Sequence, residues 1–181
     1  MNRLALFLSV VAVMASAVVA GAQHASPYAG QEQRAIKALS EQEVRDLLEG
    51  RGMGLAKAAE LNAYPGPLHV LELAGRLGLS QAQRAATESL VAAVRDNARA
   101  LGAQIVEAER DLDRAFAEGR IEPAELHMRV NAIAALQGKL RAVHLAAHLV
   151  QRSLLTPEQI AGYNSARGYQ LTGRPHGHER H

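Results

Sequence analysis

The chain has 181 residues, a single-domain length, and is 48% hydrophobic yet only 3% aromatic, with two Phe, four Tyr and no Trp. Alanine, the strongest helix former, supplies about one residue in five; with so few β-branched runs, a sandwich, a barrel or an α/β sheet is excluded. No cysteine and a formal net charge of +2 rule out a disulfide framework, a thiolate metal site and a cysteine nucleophile, and give no electrostatic case for nucleic acid.

Residues 1–22 read as a cleavable secretory signal. Arg3 supplies the positive start, Leu4 to Val19 is uncharged, and Ala20-Gly21-Ala22 offers the small-x-small site, leaving Gln23 as the mature N-terminus. The alternative is an uncleaved N-terminal inner-membrane anchor, but the apolar run is shorter than the roughly 20 residues a spanning helix needs. In a Gram-negative cell the destination is the periplasm, where ATP is absent and nucleotide-driven chemistry is excluded.

Residues 23–65 form an N-terminal arm. Ser40-Glu41-Gln42-Glu43 is a capping box that predicts a short helix to Glu49, stopped by Gly50, Gly52 and Gly54. A second amphipathic stretch, Leu55 to Asn62, ends at Tyr64-Pro65-Gly66-Pro67, and Pro67 opens a helix to about Leu77. The arm is dense in start and stop signals yet poor in core residues.

Residues 66–170 carry the main domain. Ser80 caps a long helix whose Leu90, Val94, Ala98, Leu101, Ile105, Ala108, Leu112 and Ala115 recur three and four apart. Gly119 ends it, and Glu122-Pro123 starts a return helix with Leu126, Val130, Ile133, Leu140 and Val143 on its seam. So short a connection predicts an antiparallel pair. Thr156-Pro157 opens a last helix to about Gly168. Residues 171–181 are expected to be a disordered His-rich tail. The predicted fold is all-α: a long antiparallel helical hairpin with short flanking helices. A two-helix layer buries too little to stand alone, so it needs the short helices, a second subunit, or both.

Leu79-Ser80-Gln81-Ala82-Gln83 and Leu155-Thr156-Pro157-Glu158-Gln159 are the same pentapeptide, Leu-[Ser/Thr]-x-x-Gln. In each, the hydroxyl accepts from the N3 amide, the Gln returns to the N-cap amide, and the leading Leu packs on the next turn. Two copies bracketing a helical hairpin behind a signal peptide resemble the LTxxQ family of periplasmic proteins, of which Spy and CpxP are chaperones and ZraP and CnrX metal-responsive relatives. The resemblance implies a hooked hairpin that forms a homodimeric cradle. It implies either ATP-independent holding of unfolded periplasmic proteins, control of an envelope-stress sensor, or heavy-metal sensing.

His144 and His148, four apart on the return helix, leave from one face. Simple register sets them opposite about Asn97 and Ala93, at the end to which the helix bearing His69 returns. His69, His144 and His148, with Glu72 or Glu88 as oxygen donor, are the candidate ligands for Zn, Ni, Co or Cu. The alternative is a core histidine at 144 and a solvated one at 148. His176, His178 and His181 form an accessory candidate in the tail. His24 and His127 look incidental. No acidic residue lies between Glu125 and Glu158, so Arg84, Arg95, Arg99, Lys139, Arg141 and Arg152 are the candidate client-binding cations, interleaved with Leu and Val. The competing reading is a solvated helix face with ion pairs between subunits. Gly50 to Gly54 lacks a preceding strand and the GxGxxG spacing, and no HExxH, GxSxG or P-loop occurs, so neither a nucleotide site nor an enzyme is expected.

Overall fold

The computed structural model describes residues 26–169, and every regular element among them is helical. Residues 1–22, expected to be a secretory signal, His24, and the segment with His176, His178 and His181 lie outside the described residues. The elements are α1 (Glu41–Glu49), α2 (Lys57–Glu60), α3 (Pro67–Glu72), α4 (Gln81–Ala117), α5 (Pro123–Leu154) and α6 (Pro157–Ala166), preceded by a single 3₁₀ turn, Gln31–Gln33. No helix among the described residues is long and apolar enough to cross a membrane. The chain divides into two compact units at Glu32/Gln33. In the first, the Tyr28 amide donates to Ser26 Oγ (3.2 Å) and the Gln31 side chain donates to the Pro27 carbonyl (3.0 Å).

α4 and α5, joined by residues 118–122, pack along each other, with α1 and α3 against α4 and α2 against α5. One core gathers Ile36, Leu47, Ala98, Ile105, Val106 and Leu140; a second gathers Val70, Leu77, Leu155 and Tyr163. Burying a Val, Leu or Ile side chain contributes about 1.5–3 kcal/mol, so the short helices add materially to what the long pair buries. On α5 the buried positions are Ile133, Leu140, His144, Ala147 and Gln151. Val130, expected on that seam, instead stands exposed, while its neighbour Arg129 is half-buried and pairs with Glu125 at 2.6 Å. The second short helix is also briefer than the pattern predicted: only Lys57–Glu60 is α-helical, with turns on both sides.

The arm compensates for its few core residues by close backbone approach. A Cβ on Gly102 would lie 2.0 Å from the Leu47 carbonyl oxygen, so α1 crosses α4 where only glycine leaves room. Gly50 closes α1 in the left-handed region (φ 69°), and a Cβ there would meet the Arg95 carbonyl oxygen at 2.9 Å.

Both Leu-[Ser/Thr]-x-x-Gln segments form complete capping boxes. The Ser80 amide donates to Gln83 Oε1 (3.0 Å) and the Gln83 amide to Ser80 Oγ (3.1 Å); Thr156 and Gln159 repeat this at 3.0 and 3.2 Å. The two glutamines also bond to each other: Gln83 Nε2 donates to Gln159 Oε1 (2.8 Å), and Gln159 Nε2 to Gln83 Oε1 (3.1 Å). Their remaining N–H groups donate to the carbonyls of Leu154 and Leu77. Each amide thereby fills both donor and both acceptor positions. Leu79 and Leu155, the leading residues of the motifs, sit in or against the second core.

Candidate functional site

Four segments enclose a cleft of about 940 Å³: the Gly50–Lys57 loop, the start of α3 at Gly66–His69, the α4 face at Val91–Arg99, and α5 at His144–His148. Gly66 has φ −77°, which any residue adopts, so its requirement is spatial. A Cβ there would lie 3.2 Å from both Glu60 Oε2 and His148 Cε1.

Glu60 is the polar hub of this region. Its Oε1 accepts from the Tyr163 hydroxyl (2.5 Å) and the Tyr169 hydroxyl (2.9 Å), and Arg167 Nε stands 3.6 Å away. Burial and the bond to Glu60 raise the Tyr163 pKa, keeping the phenol a donor, while its oxygen accepts from the Gly66 amide at 3.2 Å. Glu60 Oε2 is buried without a hydrogen-bond partner and faces His148 Nδ1 at 3.6 Å. Thus the arm, α5 and the segment after α6 meet on one carboxylate.

The histidines have separate surroundings. His148 Nδ1 lies 2.7 Å from the Tyr64 carbonyl oxygen. A carbonyl only accepts, so Nδ1 carries a proton there, and Nε2 is the nitrogen that would hold the lone pair of a neutral ring. His144 is 8% exposed, its Nε2 has no partner, and burial first, then the charge of His148, lowers its pKa. His69 Nδ1 is 2.9 Å from Glu72 Oε2. These three histidines line one cleft, whereas Glu72 and Glu88 are exposed and do not line it. Among the described residues, no three His, Asp or Glu side chains gather closely enough to hold an ion. The Nδ1 atoms of His69 and His148 are engaged by Glu72 and the Tyr64 carbonyl.

The expected client-binding cations also divide. Arg84, Lys139 and Arg141 are exposed, and Arg95 and Arg99 stand on the cleft wall, Arg99 donating to the Leu48 carbonyl at 3.3 Å. Arg152 is committed inside the fold: it donates to the Ala63 carbonyl and lies 4.5 Å over the Tyr64 ring. The outward face of α5 presents Met128, Ala132, Ala135, Lys139, Ala142, Ala146 and Leu149, all exposed and alternately four and three apart, with Met128 64% and Leu149 59% accessible. Phe116 adds a further exposed ring near the junction of α4 and α5.

Sequence reasoning missed Glu60, Tyr163 and Tyr169. Glu60 sits in an alanine-rich stretch and reads as one more solvated charge. The signal was the scarcity of aromatics: three of the four tyrosines fall beside a turn or after the second motif; Tyr163 and Tyr169 meet on Glu60, and the Tyr64 carbonyl holds the His148 ring that faces it. Comparison with family models, curated proteins and solved structures finds no match. The resemblance to the LTxxQ family therefore rests on the paired pentapeptides and their setting.

Proposed function

We propose that the chain is a periplasmic, ATP-independent holdase of the LTxxQ type, acting as an antiparallel hairpin paired in a homodimer. The outward face of α5 carries this reading. Its exposed Met, Ala and Leu side chains repeat at helical spacing beside Lys139 and Arg141, with no carboxylate from residue 126 to 157. An apolar stripe supplies adaptable contact to an unfolded segment, methionine in particular, and the cations draw in chains of net negative charge over about a Debye length. Membership of the family, the signal peptide and an unfolded client or envelope-stress sensor as partner all belong to this proposal. The test is suppression of light scattering by reduced α-lactalbumin. A Met128→Glu/Leu149→Glu variant with unchanged helix content should lose at least fivefold in potency, and equal potency would sink the reading.

The second reading is a heavy-metal sensor or buffer acting on a signalling partner, supported by His148, whose Nδ1 is taken by the Tyr64 carbonyl and whose Nε2 is not, in the cleft it shares with His69 and His144. Calorimetric titration with Zn, Ni, Co and Cu, repeated on His144→Ala/His148→Ala, decides it. Micromolar binding lost in the variant supports a sensor, and such binding should weaken below about pH 6 as the imidazoles protonate.

A further inference from the structure

The glycine-rich loop between α1 and α2 has no part in either reading, yet it forms one wall of the cleft. Met53 (φ 46°) and Gly54 (φ 75°) both lie in the left-handed region, an uncommon conformation for a methionine. The N–H groups of Gly52, Met53 and Gly54 donate to no protein acceptor among the described residues. Lys57 at the end of the loop and Arg95 on the facing α4 wall have no ion-pair partner among the described residues, and Arg99, one turn on from Arg95, is tied only through Nε, leaving its terminal amino groups free.

The two carboxylates on the walls are already balanced. Glu49 pairs with Arg51 at 2.8 Å, and Glu60 receives two tyrosine hydroxyls beside Arg167 and His148. The remaining charge in the cleft is therefore positive. Buried His144, with Nε2 unpartnered and the ring favoured neutral, adds an uncharged polar group to the same wall. Between these groups the lining is apolar: Met53, Leu68, Val91, Val94 and Ala147. Free backbone amides and unpaired cations at one side of an apolar cleft are the recognition elements for a negatively charged head on an aliphatic body.

We propose that this cleft binds an amphiphilic organic anion, a carboxylate or phosphate monoester carrying an alkyl chain, with Lys57, Arg95, Arg99 and the Gly52–Gly54 amides on the head group and Val91, Val94 and Leu68 on the chain. The site is independent of client capture on the outer face of α5. The ligand is either a soluble molecule or the headgroup and upper chain of an anionic lipid.

The experiment titrates the full chain with octanoate and octyl phosphate, below their micelle concentrations, against octanol as the uncharged control. Amide shifts and calorimetry give the affinity. Saturable binding of an anion, at least tenfold tighter than octanol and weakened at least tenfold in Lys57→Gln/Arg95→Gln, is the expected result. These side chains are exposed, so the variant should keep the wild-type melting temperature. Binding to the apolar leader would be indifferent to those substitutions, and binding unchanged in the variant overturns the proposal. Failure of both anions to saturate by 5 mM, or octanol binding equally well, overturns it too. Flotation with phosphatidylglycerol vesicles then names the source: association that octanoate displaces and the variant lacks makes the ligand a lipid, and its absence alongside tight octanoate binding makes it soluble.

Discussion

Where α4 begins and α5 stops, the bonds holding the chain join residues far apart in sequence: Gln83 to Gln159, Glu60 to Tyr163 and Tyr169, His148 to Tyr64, Arg152 to Ala63. Where α4 stops and α5 begins, the ion pairs join near neighbours, Glu107–Arg110, Asp111–Arg114, Glu118–Arg120 and Glu125–Arg129, with Lys37–Asp113 as the long-range exception. One end is held by tertiary contacts that form only when the fold is complete. The ion pairs of the other are mostly ones that an isolated helix or its adjoining turn would make equally well, and it leaves Phe116, Met128 and Val130 exposed. The difference separates an end fastened through the tertiary fold from one fastened between near neighbours, while exposed apolar side chains occur at both, Met128 at one and Leu149 at the other.

Substitutions graded from the first end to the second sharpen that contrast. The largest effect is expected at the crossing that fastens the arm. Gly102→Ala drives a methyl into the Leu47 carbonyl and should cost about 3 kcal/mol in urea unfolding, as overpacking against backbone does. A loss under about 0.5 kcal/mol would mean that α1 does not rest on α4 as described. Next come the glutamines. Gln83→Ala and Gln159→Ala each lose a cap and take one donor and one acceptor partner from the other amide, and should cost about 2 kcal/mol. The double variant should fall short of their sum by about 1 kcal/mol or more, the coupling of a shared pair; strict additivity would contradict the reciprocal bond.

The buried histidine gives a smaller effect with a definite sign. His144 resists protonation in the folded chain because burial and His148 lower its pKa. The unfolded chain therefore takes up the extra proton below about pH 6.5. The stability that this group contributes is present above that pH, is lost progressively as pH falls toward the depressed folded value, and declines no further below it. His144→Leu should flatten that part of the stability profile, measured by urea unfolding at pH 7.5, 6.0 and 5.0. The smallest effect belongs to the second end: Arg110→Ala should change stability by less than about 0.5 kcal/mol, since both members of its pair are largely solvated.

Legibility in the sequence followed the range of the interactions. Capping at Ser40, Ser80 and Thr156, the prolines opening α3, α5 and α6, and the spans of the two long helices are local, and the residues declare them. The reciprocal glutamine bond was hidden because each motif is already complete as a capping box, so nothing in either copy asks for the other. Glu60 was hidden for the opposite reason: only its surroundings, gathered from three distant segments, distinguish it from a surface glutamate. The arm's attachment was obscured because Gly102 reads as a weak point in a helix, whereas its missing side chain is what admits Leu47. Among the site residues, the shared face of His144 and His148 followed from spacing, but their different environments depended on Tyr64 and Glu60.

The glutamine pair closes residues 83–159 into a non-covalent ring, since its members are 76 positions apart. The entropy of closing such a ring grows only with the logarithm of its length, about 0.6 kcal/mol for each doubling. Matched insertions of seven residues into α4 and α5, placed toward Gly119, would lengthen the arms of the molecule while keeping their facing seams in phase and leaving the closure untouched. Length is thereby uncoupled from fastening: the same pair of pentapeptides can close a shorter or a longer pair of packed helices without any change at the end that ties them together.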